Sequence, residues 1–203
     1  IGWCDWSSDV CSSDLIAAFS QTERGITLDH GTAYFDIAHD ASRPVIVRAA
    51  NVDVHVLGTA FEVRSSPSGV RVSVTRGRVA VDVGGADKAD HGARRTVSLG
   101  VGEQVTAQPS GALTAVSRFA PDDLLSWRNG RLTYRDATLA DIVADLNRYR
   151  ADPIRILDDK AAALRVTAAF RADQGEQVLA SLAASQPIIV RRADGVLVIS
   201  SPE

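Results

Sequence analysis

Hydrophobic and polar residues alternate strictly along residues 51–83. Valine or phenylalanine fills every second position in four short runs, and each run starts nine residues after the previous one. Gly58, residues 65–69 and Gly77 separate the runs. Period-two alternation of β-branched residues between such turn signals is typical of half-buried strands joined by tight turns. The stretch therefore predicts four strands with one face in a core. The apolar positions are Val52, Val54, Val56, Phe61, Val63, Val70, Val72, Val74, Val79, Val81 and Val83.

The same alternation predicts further strands on both sides of this stretch. Residues 16–22 are too short and mixed to assign, and residues 84–95 predict a polar loop or hairpin tip. No helical period is convincing before Ser117. We therefore predict an all-β domain over residues 16–117, truncated at its N-terminus. Its additional strands cover residues 25–28, 33–37, 45–49, 97–99 and 103–105.

The pattern changes after a predicted linker at residues 118–126. A strand is predicted over 132–134, followed by a helix of roughly ten residues with Thr138 as N-cap and Asp141 in its first turn. Pro153 ends this helix, and a strand follows over 154–157.

The same order of elements then repeats. A strand over 164–170 precedes a helix that Asp173 is predicted to cap and that ends before Pro187. Strands over 188–191 and 196–199 form a final hairpin. Residues 127–203 are thus predicted to be a small α+β domain of order βαββαββ, and the chain as a whole to be mostly β.

The first fifteen residues differ from all others. They hold both cysteines, Cys4 and Cys11, in a Ser- and Asp-rich setting without strand or helix period. A disulfide or half a zinc site is one interpretation. We favour another, since the segment resembles a translated sequencing-adapter read; residues 1–15 are then a non-native leader. Without this leader, which contains three aspartates, the formal net charge changes from −3 to 0.

Composition limits the classes of partner. With a net charge of −3 and a pI of about 5.8, the chain lacks the excess of basic residues that nucleic-acid-binding proteins carry, so nucleic acid is not expected as a partner. No run of eighteen apolar residues is present, so the sequence predicts no membrane span. The chain begins at Ile1 and contains no methionine, which suggests a fragment of a longer gene.

The best metal candidate combines Asp53 and His55 with Glu62, on the expectation that the three side chains share a face of adjacent strands. The set resembles a cupin-type iron or manganese site, but it lacks a second histidine and has the wrong spacing. Exposed polar positions on a half-solvated sheet explain the same residues, and Glu62 is expected to form a surface pair with Arg64.

Other motifs give no better chemistry. His39-Asp40 precedes a turn and not a helix, and Gly100-Val101-Gly102 lacks the third glycine of a dinucleotide fingerprint. No serine has the context of a nucleophile. We therefore predict no catalytic, cofactor or metal residues, and favour a binding module over an enzyme.

A series of motifs closely resembles the FecR family of sigma-factor regulators. They follow one another in the family's order from about Gly25 to the C-terminus. The motifs occupy residues 31–40, 43–47, 52–64, 74–81, 99–105, 127–132 and 145–149.

The resemblance implies a cytoplasmic sigma-binding segment, one transmembrane helix, a periplasmic β domain with solenoid-like coiling, and a C-terminal domain similar to the short N-terminal domain of secretins and TonB-dependent receptors. The first two parts are expected to be missing from this chain. It further implies a periplasmic protein anchored to the inner membrane. Its signalling partner would be a TonB-dependent transducer for iron uptake, and its target an extracytoplasmic-function sigma factor.

Two other functions stay open at this stage. One is a stand-alone envelope module that binds carbohydrate or peptidoglycan, and the other is a cupin-like metalloenzyme. For the regulator, the predicted docking surface is the last hairpin, because strand edges of small sheets readily accept another strand. Its residues are Ile189, Val190, Arg191 and Arg192.

Overall fold

The structure, a computed structural model, describes residues 15–19, 24–84, 95–119, 124, 126–193 and 195–202. The chain divides into two compact units, residues 1–124 and residues 125–203. Each unit has its own hydrophobic core. Strands are the main secondary structure, and within the described ranges no helix is both long and apolar enough to cross a membrane.

Strands are the main elements of the first unit within its described residues. They are β1 (Leu15–Phe19), β2 (Arg24–Leu28), β3 (Gly31–Asp36), β4 (Val45–Ala49), β5 (Val52–Val56), β6 (Ala60–Ser66), β7 (Gly69–Arg76), β8 (Val79–Val83), β9 (Arg95–Leu99), β10 (Glu103–Ala107) and β11 (Ser117–Arg118). Strand β1 lies where the sequence was too mixed to assign, and it pairs along its whole length with β2.

These strands form two sheets. One has the order β1, β2, β4, β5, β8, β9, and the other the order β11, β10, β7, β6, β3. Every pairing is antiparallel except that of β2 with β4. Consecutive strands β5 and β6 belong to different sheets, so the chain crosses between the sheets at residues 57–59.

Both sheets contribute to one core, as the valine alternation predicts. In β5 the three valines are buried, whereas Asp53 and His55 between them are half-buried. Val47, Val54 and Val81 form one cross-strand row, and each is fully buried. Since complete burial of a valine side chain contributes about 1.5–3 kcal/mol, such rows are the main stabilising feature of this unit.

Gly58 allows the crossing between the sheets. A Cβ atom at this position would collide with the backbone of His39, because the segment before β4 runs close beside it. Backbone hydrogen bonds join the two segments, from Ile37 N to Thr59 O at 2.9 Å and from Asp40 N to Leu57 O at 2.8 Å.

The second unit follows the order strand, helix, strand, short helix, strand, helix, strand, strand. Its elements are β12 (Arg131–Thr138), α1 (Leu139–Leu146), β13 (Ile154–Ile156), α2 (Asp159–Ala162), β14 (Arg165–Arg171), α3 (Gly175–Ser185), β15 (Ile189–Ala193) and β16 (Val196–Ser200). The one-turn helix α2 has no counterpart in the sequence prediction, since it is too short to show a period.

Two small sheets share the core of this unit with α1 and α3. Strands β12 and β14 pair antiparallel, with a register shift between Tyr134 and Ala137. The other sheet has the order β13, β16, β15, parallel between β13 and β16 and antiparallel between β16 and β15.

The helix starts were predicted with mixed success. Thr138 caps α1, because its Oγ1 accepts a hydrogen bond from Asp141 N at 3.1 Å. The expected cap of α3 is wrong. Asp173 lies in a 3₁₀ turn before the helix, and its carboxylate accepts a bond from Arg171 Nε at 3.3 Å instead of from a helical amide. The predicted loop at 84–95 falls, except for its two ends, outside the described residues.

Candidate functional site at an open strand edge

The hairpin β15–β16 brings the four predicted docking residues to the edge of a sheet. Strand β15 pairs with β16 on one side only, and no described strand lies on its other side. The register sets Ile189 opposite Ser200 and Ala193 opposite Val196, with a connection of two residues. Apolar, largely β-branched residues in both strands, joined by this short connection, explain why the segment folds as a hairpin.

The two faces of β15 have different surroundings. Val190 lies in a row with Ile199 and packs against the core of the second unit. Arg191 lies in a row with Val198 and Arg155, on the opposite face. Both arginines are exposed. The four residues therefore do not act as one patch, since adjacent positions of a strand point to opposite faces.

Arg192 is held by the neighbouring helix. Its guanidinium donates to Glu176 Oε1 at 3.0 Å, and Arg150 donates to the same oxygen at 3.0 Å. The hydrogen bond from Arg150, aided by the positive charges of Arg150 and Arg192, lowers the pKa of Glu176. One carboxylate thus links β15, α3 and the segment that follows α1.

The side chains of Arg191 and Arg155 differ from that of Arg192. Neither side chain forms a hydrogen bond or ion pair with any residue that the structure describes. Their two positive charges lie at the ends of one cross-strand row, with Val198 between them. The solvent face of this sheet is consequently basic and carries no neutralising acid in that row.

Sequence reasoning missed Glu176, which binds Arg192, and Arg150, which binds the same carboxylate. Glu176 is 26 positions from Arg150 and 16 from Arg192, so no local pattern indicates the contact. The sequence shows that Glu176 is an acidic residue in the first turn of α3. Its favourable interaction with the helix dipole explains that position as well as a contact with an arginine does.

The structure separates the three residues of the metal hypothesis. Asp53 and His55 lie on β5, whereas Glu62 lies on β6 in the other sheet, so the expected shared face is wrong. His55 Nε2 instead lies 3.3 Å from Asp82 Oδ2 on β8. Within the described ranges, no three acidic, histidine or cysteine side chains are grouped to hold a metal ion.

Glu62 does not match its expected role on the surface. It is 6% exposed and lies on an inner strand of the five-stranded sheet, between Tyr34 and Ser73. The period-two pattern could not reveal the burial of Glu62. It shows that successive side chains lie on opposite faces of the strand, but not whether other residues cover the polar face.

Two other motifs have structural roles. At Asp40, hydrogen bonds from the Ser42 side chain and then from Arg43 lower the pKa of the carboxyl to about 2, which stabilises the turn before β4. In the segment 145–149, Asp145 accepts a hydrogen bond from Tyr134 Oη at 2.9 Å, and the Asn147 amide exchanges two bonds with the backbone of Ile154.

Comparison with known proteins gives a family match over part of the chain and a similar fold over most of it. Residues 7–80 match the family model described as FecR protein. The match includes residues 7–15, which belong to the predicted leader, and ends before the later motifs. Among proteins with curated descriptions, none matches the chain.

Two crystal structures of a protein from Parabacteroides distasonis ATCC 8503, described as an anti-sigma factor, have a similar fold. The first, at 1.65 Å resolution, has a TM-score of 0.76 and 22% identity. The second, at 2.50 Å resolution, has a TM-score of 0.75 and 23% identity. Each comparison covers 92% of this chain and 84% of the other. At this level of identity the likeness shows a shared fold over most of the chain.

Proposed function

We propose that this chain, whose residues 7–80 match the FecR family model, is the periplasmic signal-receiving part of a membrane-anchored sigma regulator. In this proposal the second unit binds the signalling domain of a TonB-dependent transducer. Binding leads to proteolysis of the regulator and to release of an extracytoplasmic-function sigma factor. A cytoplasmic segment and a transmembrane helix outside this chain connect the two events.

The observation that carries the proposal is the open edge of β15. This edge lies on a compact unit with its own core, and it presents Arg191 to solvent. A receptor of this kind needs a docking surface and a rigid support, and no catalytic group. Edges of small sheets supply such surfaces because their backbone groups are available to a further strand.

The first unit serves as the support. Its chain passes from β2 through β3 in the other sheet and returns to β4, parallel to β2. This path supports the proposal of a solenoid-like coil, and the antiparallel strands that follow extend the same core. The second unit is proposed to resemble the short N-terminal domain of secretins and TonB-dependent receptors.

No observation favours a carbohydrate-binding module. Such modules stack sugar rings on exposed aromatic side chains. The large hydrophobic residues that are exposed in the described ranges are all aliphatic: Ile16, Leu57, Val101, Val116 and Leu157.

The proposal is tested with the purified chain and the purified signalling domain of a TonB-dependent transducer from the same genome. Isothermal titration calorimetry should detect a one-to-one complex, whereas a TonB-dependent receptor plug without a signalling domain should give no heat of binding. In cells that carry the intact regulator, removal of the second unit should abolish induction of a sigma-dependent reporter. Absence of binding together with unchanged induction would refute the proposed function.

A further inference from the structure

We propose that the partner adds an extended strand to the open edge of β15, and that an acidic side chain on that strand pairs with Arg191. The identity of the partner rests on the proposed function. The inference adds the mode of binding, the residue that confers specificity and the chemistry of the matching residue on the partner.

The backbone of β15 supports strand addition. Because the two-residue connection closes on the pair Ala193 and Val196, the pairs bonded to β16 are those at Ala193, Arg191 and Ile189. The N–H and C=O groups of Val190 and Arg192 then point to the open side, where no described strand lies. An incoming strand can form hydrogen bonds with these four groups.

The charge pattern selects an acidic partner. Arg191 ends a cross-strand row whose other end is Arg155, and no acid among the described residues pairs with either. A strand added beside β15 continues this row by one position. The Cβ atom of its residue opposite Arg191 lies about 4.5–5.5 Å from that of Arg191, within reach of a salt bridge. Aspartate or glutamate at that position relieves the excess positive charge.

Arg192 has another role. Its guanidinium already shares Glu176 with Arg150, on the face that packs towards α3. Its charge is therefore neutralised within the unit. Arg192 is a positioning residue that holds the edge strand against the helix, and the combined substitution of Arg191 and Arg192 would mix loss of contact with loss of support.

The first experiment distinguishes a specific salt bridge between Arg191 and the partner's acid from an effect of the net charge of this face. Arg191→Glu should weaken binding of the transducer signalling domain by roughly tenfold or more, because a like charge then opposes the partner's acid. Arg191→Lys should retain most of the affinity. Arg155→Glu is the matched control, since it makes the same charge change on the same face at the opposite edge, and it should alter affinity less than threefold.

The second experiment tests strand addition. Amide hydrogen exchange of the full chain, measured by NMR, should show slower exchange at Val190 and Arg192 when the signalling domain binds. The amides of Arg191 and Ile189, already bonded to β16, should change little. Side-chain docking without strand addition would leave the exchange at Val190 and Arg192 unchanged, and that result would overturn the inference.

The outcomes distinguish the two proposals. If the wild-type chain does not bind the signalling domain, the proposed function fails and this inference fails with it. If the wild-type chain binds but Arg191→Glu and Arg155→Glu have equal effects, the function stands and the edge of β15 is not the site. Restored binding between Arg191→Glu and a partner whose acid is replaced by arginine would establish the pair.

Discussion

Glu176 of α3 accepts a hydrogen bond from Arg192 of β15 at 3.0 Å, and this contact ties the outer strand of a three-stranded sheet to the helix beside it. Without it, an edge strand of five residues is held by one neighbouring strand and by the packing of Val190. The position of the proposed docking edge thus depends on a polar contact between elements.

Glu176→Gln should make stability less dependent on pH. The pKa of Glu176 is lowered in the folded state, chiefly by Arg150, so the unfolded chain takes up the proton first as the pH falls. The stabilisation is present above the unfolded pKa of about 4.3 and is lost as the pH falls through the lower folded value. Melting temperatures should differ between wild type and variant at pH 7, and the difference should shrink as the pH falls below about 4.

A matched pair of arginine variants identifies the contact. Arg192→Gln should lower the melting temperature at pH 7, whereas Arg191→Gln should leave it unchanged, since the Arg191 side chain pairs with no described residue. Equal effects of the two variants would mean that the contact with Glu176 does not support the strand.

Asp158→Ala should loosen the end of β16. The Asp158 carboxylate caps α2 through Ala161 N at 2.8 Å and also accepts bonds from Ser201 N at 2.8 Å and Ser201 Oγ at 2.7 Å. These bonds, led by that from Ala161, lower the pKa of Asp158. We expect a lower melting temperature and faster amide exchange at Ser201. Asp159→Ala removes a neighbouring exposed carboxylate and should leave the Ser201 amide protected.

Gly69→Ala should strongly destabilise the first unit. Gly69 has a φ of +127°, and a Cβ atom there would collide with the carbonyl oxygen of Ala107 on the neighbouring strand. Backbone strain of this kind costs about 1–3 kcal/mol, and the collision adds to it. Gly102→Ala is the control, because its φ is +79° with no atom within 4 Å of the added Cβ, so it should cost about 1–2 kcal/mol. Urea denaturation followed by circular dichroism measures both free energies of unfolding.

Tyr134→Phe should destabilise the second unit by about 1–3 kcal/mol, because it removes a donor from a buried carboxylate. The Tyr134 hydroxyl donates to Asp145 Oδ2 at 2.9 Å, and both residues are buried. Tyr34→Phe makes the same chemical change in the first unit, where the partner is the neutral, partly buried Thr75 hydroxyl at 2.9 Å. Its cost should be smaller, about 0.5–1.5 kcal/mol, and thermal unfolding of the two variants would contradict this account if the order were reversed.

Local patterns predicted the elements well where one face of a strand is buried. The valines of residues 52–83 mark strands β5 to β8 because the side-chain period of a strand is two, and burial of one face follows directly. The cap at Thr138 was also predictable, since a cap involves only neighbouring residues. The sequence did not predict strand β1 or helix α2, because such short elements show no hydrophobic period. It also did not predict the role of Asp173, because a bond from Arg171 takes the place of the helix cap.

The sequence predicted where the proposed site lies, but not what each of its residues does. The sequence indicates a final hairpin with Arg191 and Arg192 side by side. Only the structure assigns Arg192 to Glu176 and leaves Arg191 in a row with Arg155. The difference arises because adjacent strand positions face opposite sides, and the partners on each side come from distant parts of the chain.

By itself, the sequence determined where the strands of this protein lie, which of their faces are buried and that the last hairpin exposes two arginines. Tertiary structure decided which strands are neighbours. It placed β5 and β6 in different sheets, which separates His55 from Glu62, and it left β15 at an edge. The physical reason is that periodicity records burial along one segment, whereas neighbours are chosen by contacts between segments far apart in the chain.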